Sequence, residues 1–167
     1  LDVGGAEKVT LSVIRQMNPK DYEITLVVLN EDGPLVNEVP DSVTIISIKR
    51  QRLRYSLVGI AKVLMEIRPH YVFTTIGYMN FSVIAITRLL RLKTKIVVRE
   101  ASTPSMYLSE LTQSRRLIYR WLYHILYPKA DIIVAQCDCM REDLVGNFGI
   151  DEEKVVRIYN PVDVDMI

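Results

Sequence analysis

Two hydrophobic patterns alternate along this chain. Short continuous apolar runs recur, and each is followed by a segment whose apolar residues return every three or four positions. The first periodic segment carries Ala6, Val9, Val13 and Met17 on one face and predicts a helix through Met17. Tyr22 to Leu29 then reads as a strand, apolar enough along its length for burial on both faces, as in a parallel sheet. A loop from Asn30 to Ser42, broken by Gly33-Pro34 and Pro40, leads to a strand over Val43 to Ile48. After a basic connector, Ser56 is placed to cap a helix with Leu57, Ile60, Ala61, Leu64 and Ile67 on one side.

The alternation continues to the end of the chain. Pro69 stops that helix, Tyr71 to Ile76 is a strand, and a helix is predicted from about Met79 to Leu90. Lys95 to Glu100 is a strand, Ala101 to Glu110 is read as irregular, and a helix from about Thr112 to Tyr127 is stopped by Pro128. Asp131 to Ala135 is a strand, Asp138 to Phe148 a helix with Gly149 as its cap, and Val155 to Tyr159 the last strand before an Asn160-Pro161-Val162-Asp163 turn. Such a series implies βαβ units with right-handed crossovers. The expected fold class is α/β, a Rossmann-like, doubly wound parallel sheet in three layers, α/β/α. A helix comes first, so the pattern places one strand ahead of Leu1.

Ligands in such sheets bind at the carboxyl ends of the strands. Gly4-Gly5, Thr75-Ile76-Gly77, Glu100 and Gln136 all fall at or just past such an end. Gly4 and Gly5 precede a helix, where unpaired backbone N–H groups favour an anion and the missing Cβ lets a phosphate approach. A tight turn ahead of a helix accounts for the same pair, and both readings stand. Neither a G-x-G-x-x-G nor a P-loop fingerprint is present, which disfavours a nicotinamide-dependent oxidoreductase.

Composition narrows the class further. The 167 residues suffice for one domain, and 49% hydrophobic content with a mean hydropathy of +0.14 describes a globular chain. No apolar run approaches the ~18–20 residues that span a bilayer, and no cleavable signal segment is visible. Cys137 and Cys139 form a lone C-x-C, and His70 and His124 are far apart. This predicts no metal site and two reduced thiols at a helix start, which suits the cytoplasm.

The net charge of +1 conceals a segregation. Lys49 to Lys129 holds 15 Lys and Arg against 3 Asp and Glu, while the flanks hold 6 against 17. A basic middle suits an anionic partner. Lys49, Arg50, Arg52 and Arg54 form a connector that reads either as a solvated loop or as a grip on a pyrophosphate or acidic headgroups. In the helix after Thr112, Arg116, Arg120 and His124 make one stripe and Tyr119, Tyr123 and Tyr127 the next. Leu117, Ile118, Trp121, Leu122 and Ile125 cover much of the remainder. An interfacial helix looks like this, and so does a core helix with one wet face. No nucleic-acid motif accompanies the basic residues, so nucleic acid is not an expected partner.

With those residues placed, the chain resembles the N-terminal domain of a family-4 glycosyltransferase of the GT-B fold. Gly4-Gly5-Ala6-Glu7, Ala130-Asp131-Ile132-Ile133-Val134-Ala135 and the run from Val155 to Asp163 carry the resemblance. It implies a retaining transferase that uses a nucleotide-sugar donor and needs neither metal nor other cofactor. It also implies residues 1–159 as an acceptor-side domain, 160–167 as the start of a hinge, and a C-terminal domain of the same protein as partner. Gly4 and Gly5 match the loop near the donor diphosphate. Arg99-Glu100 falls where many relatives carry a His-containing pair, and this chain departs from them there. Glu100 reads either as the candidate catalytic group, accepting a hydrogen bond from a sugar or acceptor hydroxyl, or as the partner of a salt bridge with Arg99 or a neighbouring Lys. The acceptors implied are glycans or polyprenyl-linked sugars of surface polysaccharides such as lipopolysaccharide or capsule. Lys49, Arg50, Arg52, Arg54, Arg99, Arg116, Arg120 and His124 are then candidate contacts to acceptor, phosphate or an anionic membrane, on the inner face of the plasma membrane. A non-catalytic phospholigand- or membrane-binding module that partners a separate catalytic chain is the alternative.

Overall fold

The computed structural model describes residues 4–29, 33–48 and 56–161. The chain divides into two compact units, Leu1–Ile60 with Asn160–Ile167 and Ala61–Tyr159.

In the first unit, α1 (Gly5–Gln16) leads to β1 (Thr25–Val28), which pairs in parallel with β2 (Thr44–Ser47) from Thr25↔Thr44 to Val28↔Ser47. Gly33-Pro34 opens a 3-10 turn over Pro34–Glu38, with proline at its first position, where the missing N–H costs nothing. The guanidinium of Arg15 ties this turn to α1 by donating to the Glu38 carboxylate at 2.8 Å and to its carbonyl at 3.1 Å. Ser56 is fully buried, and its carbonyl accepts the first helical bond of α2 (Leu57–Ile67) from the Ile60 N–H at 2.8 Å. The basic connector with Lys49, Arg50, Arg52 and Arg54 lies outside the described residues, as do Val162 and Asp163.

The second unit is built on a four-stranded parallel sheet in the order β3 (Tyr71–Thr74), β4 (Lys95–Arg99), β5 (Ile132–Ala135), β6 (Val155–Arg157). Between them come α3 (Gly77–Leu89), α4 (Pro104–Ser109), α5 (Gln113–Leu126) and α6 (Asp138–Phe148). The register sets Thr74 beside Val98, Val98 beside Ile133 and Ile133 beside Val155, one row across the sheet. These four are buried, and Val98, Ile133 and Val155 join Phe81 and Ile84 of α3, Tyr123 of α5 and Leu144 of α6 in one core.

Local signals explain most boundaries. Arg91 takes a left-handed φ of 52° after α3, with its N–H on Arg88 O and the Leu92 N–H on Thr87 O. That is a Schellman closure made without glycine. Gly149, at φ 65°, closes α6, and the Ile150 N–H reaches Leu144 O. Asp131, just before β5, joins neighbouring elements by accepting from the Ile96 N–H, Arg88 and Lys95. Burial alone would raise its carboxyl, but those donors outweigh it and hold Asp131 below its usual value.

One expectation was overturned. Ala101 to Glu110 is not irregular, because Pro104–Ser109 is a helix. Its first free amide, on Ser105, donates to the Asp143 carboxylate of α6 at 2.9 Å. Its last carbonyls, on Leu108 and Ser109, accept from Arg116 of α5 at 2.9 Å each. Caps brought from other helices satisfy what so short a helix cannot satisfy alone.

Two glycines of α6 and its cap separate conformation from packing, since a Cβ meets nothing within 4 Å at Gly146 or at Gly149. Gly149→Ala forces an L-residue to φ 65° and should lower stability by ~1–2 kcal/mol. Gly146→Ala, inside the helix, should raise it by ~0.5–1 kcal/mol. Urea unfolding of the two variants checks the opposite signs.

Candidate functional site

Adjacent parallel strands put their carboxyl ends on one edge, so the segments after β3, β4 and β5 meet there. Glu100 follows β4, and its N–H donates to Val134 O at 3.1 Å. Gln136 follows β5, and its side-chain amide donates to Glu100 O at 2.5 Å. Gly77 follows β3 as the first residue of α3. A Cβ built on Gly77 would lie 4.0 Å from Glu100 Oε2 and 3.9 Å from the Tyr123 hydroxyl oxygen. The backbone of Gly77 thus lies close to both groups, and a Cβ there would make ordinary van der Waals contact with each.

Glu100 is only 3% exposed. Burying a carboxylate is costly, and the surrounding groups show how it is accommodated. Asn80 of α3, itself fully buried, donates through Nδ2 to Arg99 O at 3.1 Å, to the Tyr127 hydroxyl oxygen at 3.0 Å and, at 3.4 Å, to Glu100 Oε1. The Tyr123 hydroxyl also bonds the carboxyl. Burial pushes the Glu100 carboxyl up to about 8, and the bonds from Asn80 and Tyr123 and the charge of Arg99 only partly offset it. Glu100 is therefore largely neutral near pH 7. Burial likewise raises the Tyr123 phenol, helped by the adjacent Glu100. Asn80 Oδ1 is buried and without a hydrogen-bond partner among the described residues.

Asn80 is the member that reading the sequence missed. Its signal was a polar side chain at the position that, with Ile84 and Thr87, forms the buried face of α3. Tyr123 and Tyr127 were noted as a stripe, but their hydroxyls were not connected with Glu100.

The structure separates the basic candidates. Arg99 is buried, 5% exposed, and so is not part of an exposed basic face; burial lowers its guanidinium, which the neighbouring Glu100 partly restores. Arg116 directs its guanidinium to the carbonyls of Leu108, Ser109 and Leu111. His124 pairs Nδ1 with Phe148 O at 3.0 Å, at the end of α6. Arg120 is exposed.

In the other unit, Gly4 caps α1 with extended backbone, and the Glu7 side chain folds back so that its carboxylate oxygen occupies the space a Gly4 Cβ would take. An acidic group thus already lies against this helix start, where the dipole favours it. Gly5 has nothing within 4 Å of an added Cβ. Cys137 and Cys139 are free thiols at the start of α6. Among the described residues no group of three His, Cys, Asp or Glu side chains could hold a metal ion, and no helix is long and apolar enough to cross a membrane.

Comparison with known proteins gives this geometry a context. The sequence profile of glycosyltransferase family 4 matches residues 3–166. The chain is 28% identical to a Campylobacter jejuni N-acetylgalactosamine-N,N'-diacetylbacillosaminyl-diphospho-undecaprenol 4-alpha-N-acetylgalactosaminyltransferase, matching over 100% of its own length and 47% of that protein. It thus spans about half the length of this curated relative. Among solved structures it is similar to a glycosyltransferase from Rickettsia africae, at a TM-score of 0.69 and 18% identity, over 99% of this chain and 42% of that one. Anabaena HepE in complex with UDP gives 0.66 at 14% identity over 98% and 42%. The lipopolysaccharide outer core galactosyltransferase WaaB gives 0.66 at 16% over 97% and 43%. These likenesses show the fold, a Rossmann-like three-layer α/β/α domain of GT-B type, as the strand–helix alternation implied.

The Glu100 environment sets a pH dependence. A carboxyl raised from 4.5 to about 8 binds more protons folded than unfolded between those values, so its contribution to stability declines as pH rises through that window. Unfolding midpoints taken from about pH 5 to about pH 8 should show this decline in the wild type and lose most of it in Glu100→Gln, whose amide stays neutral throughout.

Proposed function

The chain belongs to glycosyltransferase family 4, and on that premise we propose that it is the acceptor-side, N-terminal domain of a retaining enzyme that moves a sugar from a nucleotide-sugar to a lipid-linked or polysaccharide acceptor in surface-glycan biosynthesis. The observation that carries this reading is the match along the whole chain to a relative whose name specifies a diphospho-undecaprenol-linked acceptor. The bound UDP of a structural neighbour makes uridine-diphosphate sugars the donors to test first.

Each part of the chain has a role in this proposal. Gly4, Gly5 and the start of α1 stabilise the leaving diphosphate, with the helix dipole and free amides acting where negative charge develops. The Glu7 carboxylate, which rests against Gly4, swings away as the donor enters. Glu100 holds the end of β4 in place through Asn80 and Gln136. A neutral carboxyl there donates a hydrogen bond and does not repel an anionic ligand, as a carboxylate would. The basic residues of the middle segment, including Lys49, Arg50, Arg52, Arg54 and Arg120, draw the chain to an acidic membrane surface on the cytoplasmic side and to a phosphorylated acceptor. A C-terminal domain of the same protein closes over the donor. No metal takes part.

Transfer assays on the intact protein, with a panel of nucleotide-sugars and undecaprenyl-diphosphate-linked acceptors, test this directly. Sugar transfer with retained anomeric configuration, undiminished by a metal chelator, is the expected result. Absence of transfer to any lipid-linked or glycan acceptor would overturn the enzymatic reading in favour of a binding module. Gly5→Ala should not lower the unfolding midpoint, because its Cβ meets nothing within 4 Å at the first position of α1, yet weaken donor binding by roughly tenfold by standing between the backbone and the diphosphate. Donor titration of the variant reads that loss.

A further inference from the structure

The two aromatic groups of α5 part company in the structure. Tyr123 and Tyr127 are buried, and their rings pack at centroid distances of 5.0 and 5.3 Å from Phe81. Tyr119 packs inward beside Tyr107, at 5.8 Å. Trp121 points the other way and is 59% exposed, with Leu117 at 64% and Ile118 at 57%. Ile125 is the fourth exposed apolar residue of the helix. At 3.6 residues per turn these four fall within an arc of about 100°. The core has already been supplied by the opposite face, so folding of this unit does not need them.

A continuous exposed apolar arc marks a surface that meets something. Charge says what. α5 contains no Asp or Glu. Arg120 flanks the arc on one side and Arg115 on the other, both exposed. Arg116 and His124 are held against backbone carbonyls of the same unit, which fixes the helix and keeps the arc outward. An apolar strip holding Trp, on a helix that carries Arg and no acidic side chain, fits a layer that is apolar within and anionic at its rim. A protein partner with an acidic rim would need matching pockets; a bilayer needs only depth and negative charge.

We propose that Leu117, Ile118, Trp121 and Ile125 of α5 dock this unit onto an anionic lipid bilayer, their side chains entering the headgroup boundary while Arg115 and Arg120 pair with lipid phosphates. This deepens the membrane side of the reading above: it assigns the docking to α5 and makes it apolar as well as electrostatic. The helix lies in the plane of the surface and does not cross it.

The test uses the intact protein and two sets of vesicles, phosphatidylcholine alone and phosphatidylcholine with phosphatidylglycerol. Wild type should bind the second set, and the fluorescence difference between wild type and Trp121→Phe should shift to the blue and be quenched by bromine-labelled lipids. Leu117→Ser with Ile118→Ser, both exposed and so harmless to folding, should weaken vesicle binding by roughly tenfold or more. Arg120→Gln should weaken it about fivefold on anionic vesicles only. Unaltered vesicle binding by the double variant, no vesicle binding by wild type, or a dimer that the same double variant dissociates would each overturn the proposal. Transfer to a short, water-soluble acceptor is measured in parallel and should be equal in wild type and double variant. Absence of that transfer in both, with vesicle binding intact, would sink the enzymatic reading and leave the docking face standing.

Discussion

A buried polar group must find its partners inside the protein, and Glu100 imposes that constraint on one whole edge of the larger sheet. Its carboxyl, its carbonyl and the carbonyl before it are reached from α3, α5 and the end of β5. Asn80 contributes most of this, because one amide touches Arg99 O, the Glu100 carboxyl and the Tyr127 hydroxyl. An apolar residue at 100 would leave Gln136 its carbonyl but take the carboxyl partner away from the Tyr123 hydroxyl and from Asn80. The network fixes the relative positions of three strand ends, and those ends are where an open parallel sheet offers ligands a place. Neutralising the carboxyl keeps the arrangement affordable in a region without solvent.

The same helices serve two demands on opposite sides. α5 gives its tyrosines to the core and to Glu100 and leaves its Leu, Ile and Trp side chains outside. An amphipathic helix ordinarily sends apolar residues in and polar ones out. Here both faces are apolar or aromatic, and Arg116 and His124 are turned to backbone carbonyls. The inward side is explained by the fold, while the outward side has no purpose within it.

Legibility in the sequence followed the range of the interactions. The bounds of α6 agree with the expected Asp138 to Phe148 because its stop, Gly149, lies in the sequence itself. The strand cores and their parallel pairing follow from apolar runs alternating with periodic ones. α4 escaped notice because its caps, Asp143 and Arg116, belong to other helices, although Thr103-Pro104 carried the local signature of a helix start. For the same reason spacing alone grouped Arg116, Arg120 and His124 into one stripe. Only the folded chain shows that two of them are engaged by the ends of α4 and α6. Glu100 stood out as a carboxylate at a strand end, but its neutrality depends on how deeply α3 and α5 enclose it, which no local pattern records.

The double capping of α4 has a consequence for order and disorder in this unit. Six residues are too few to sustain a helix unaided, since nucleation outweighs so little propagation. α4 therefore exists only while α5 and α6 are docked, and the three should open and close as one cooperative block. The backbone that leaves Glu100 runs straight into that block. A loosening at the far end of α6, many residues away in sequence, would thus reach the sheet edge through two hydrogen-bonded caps, without disturbing the β-ladder beneath.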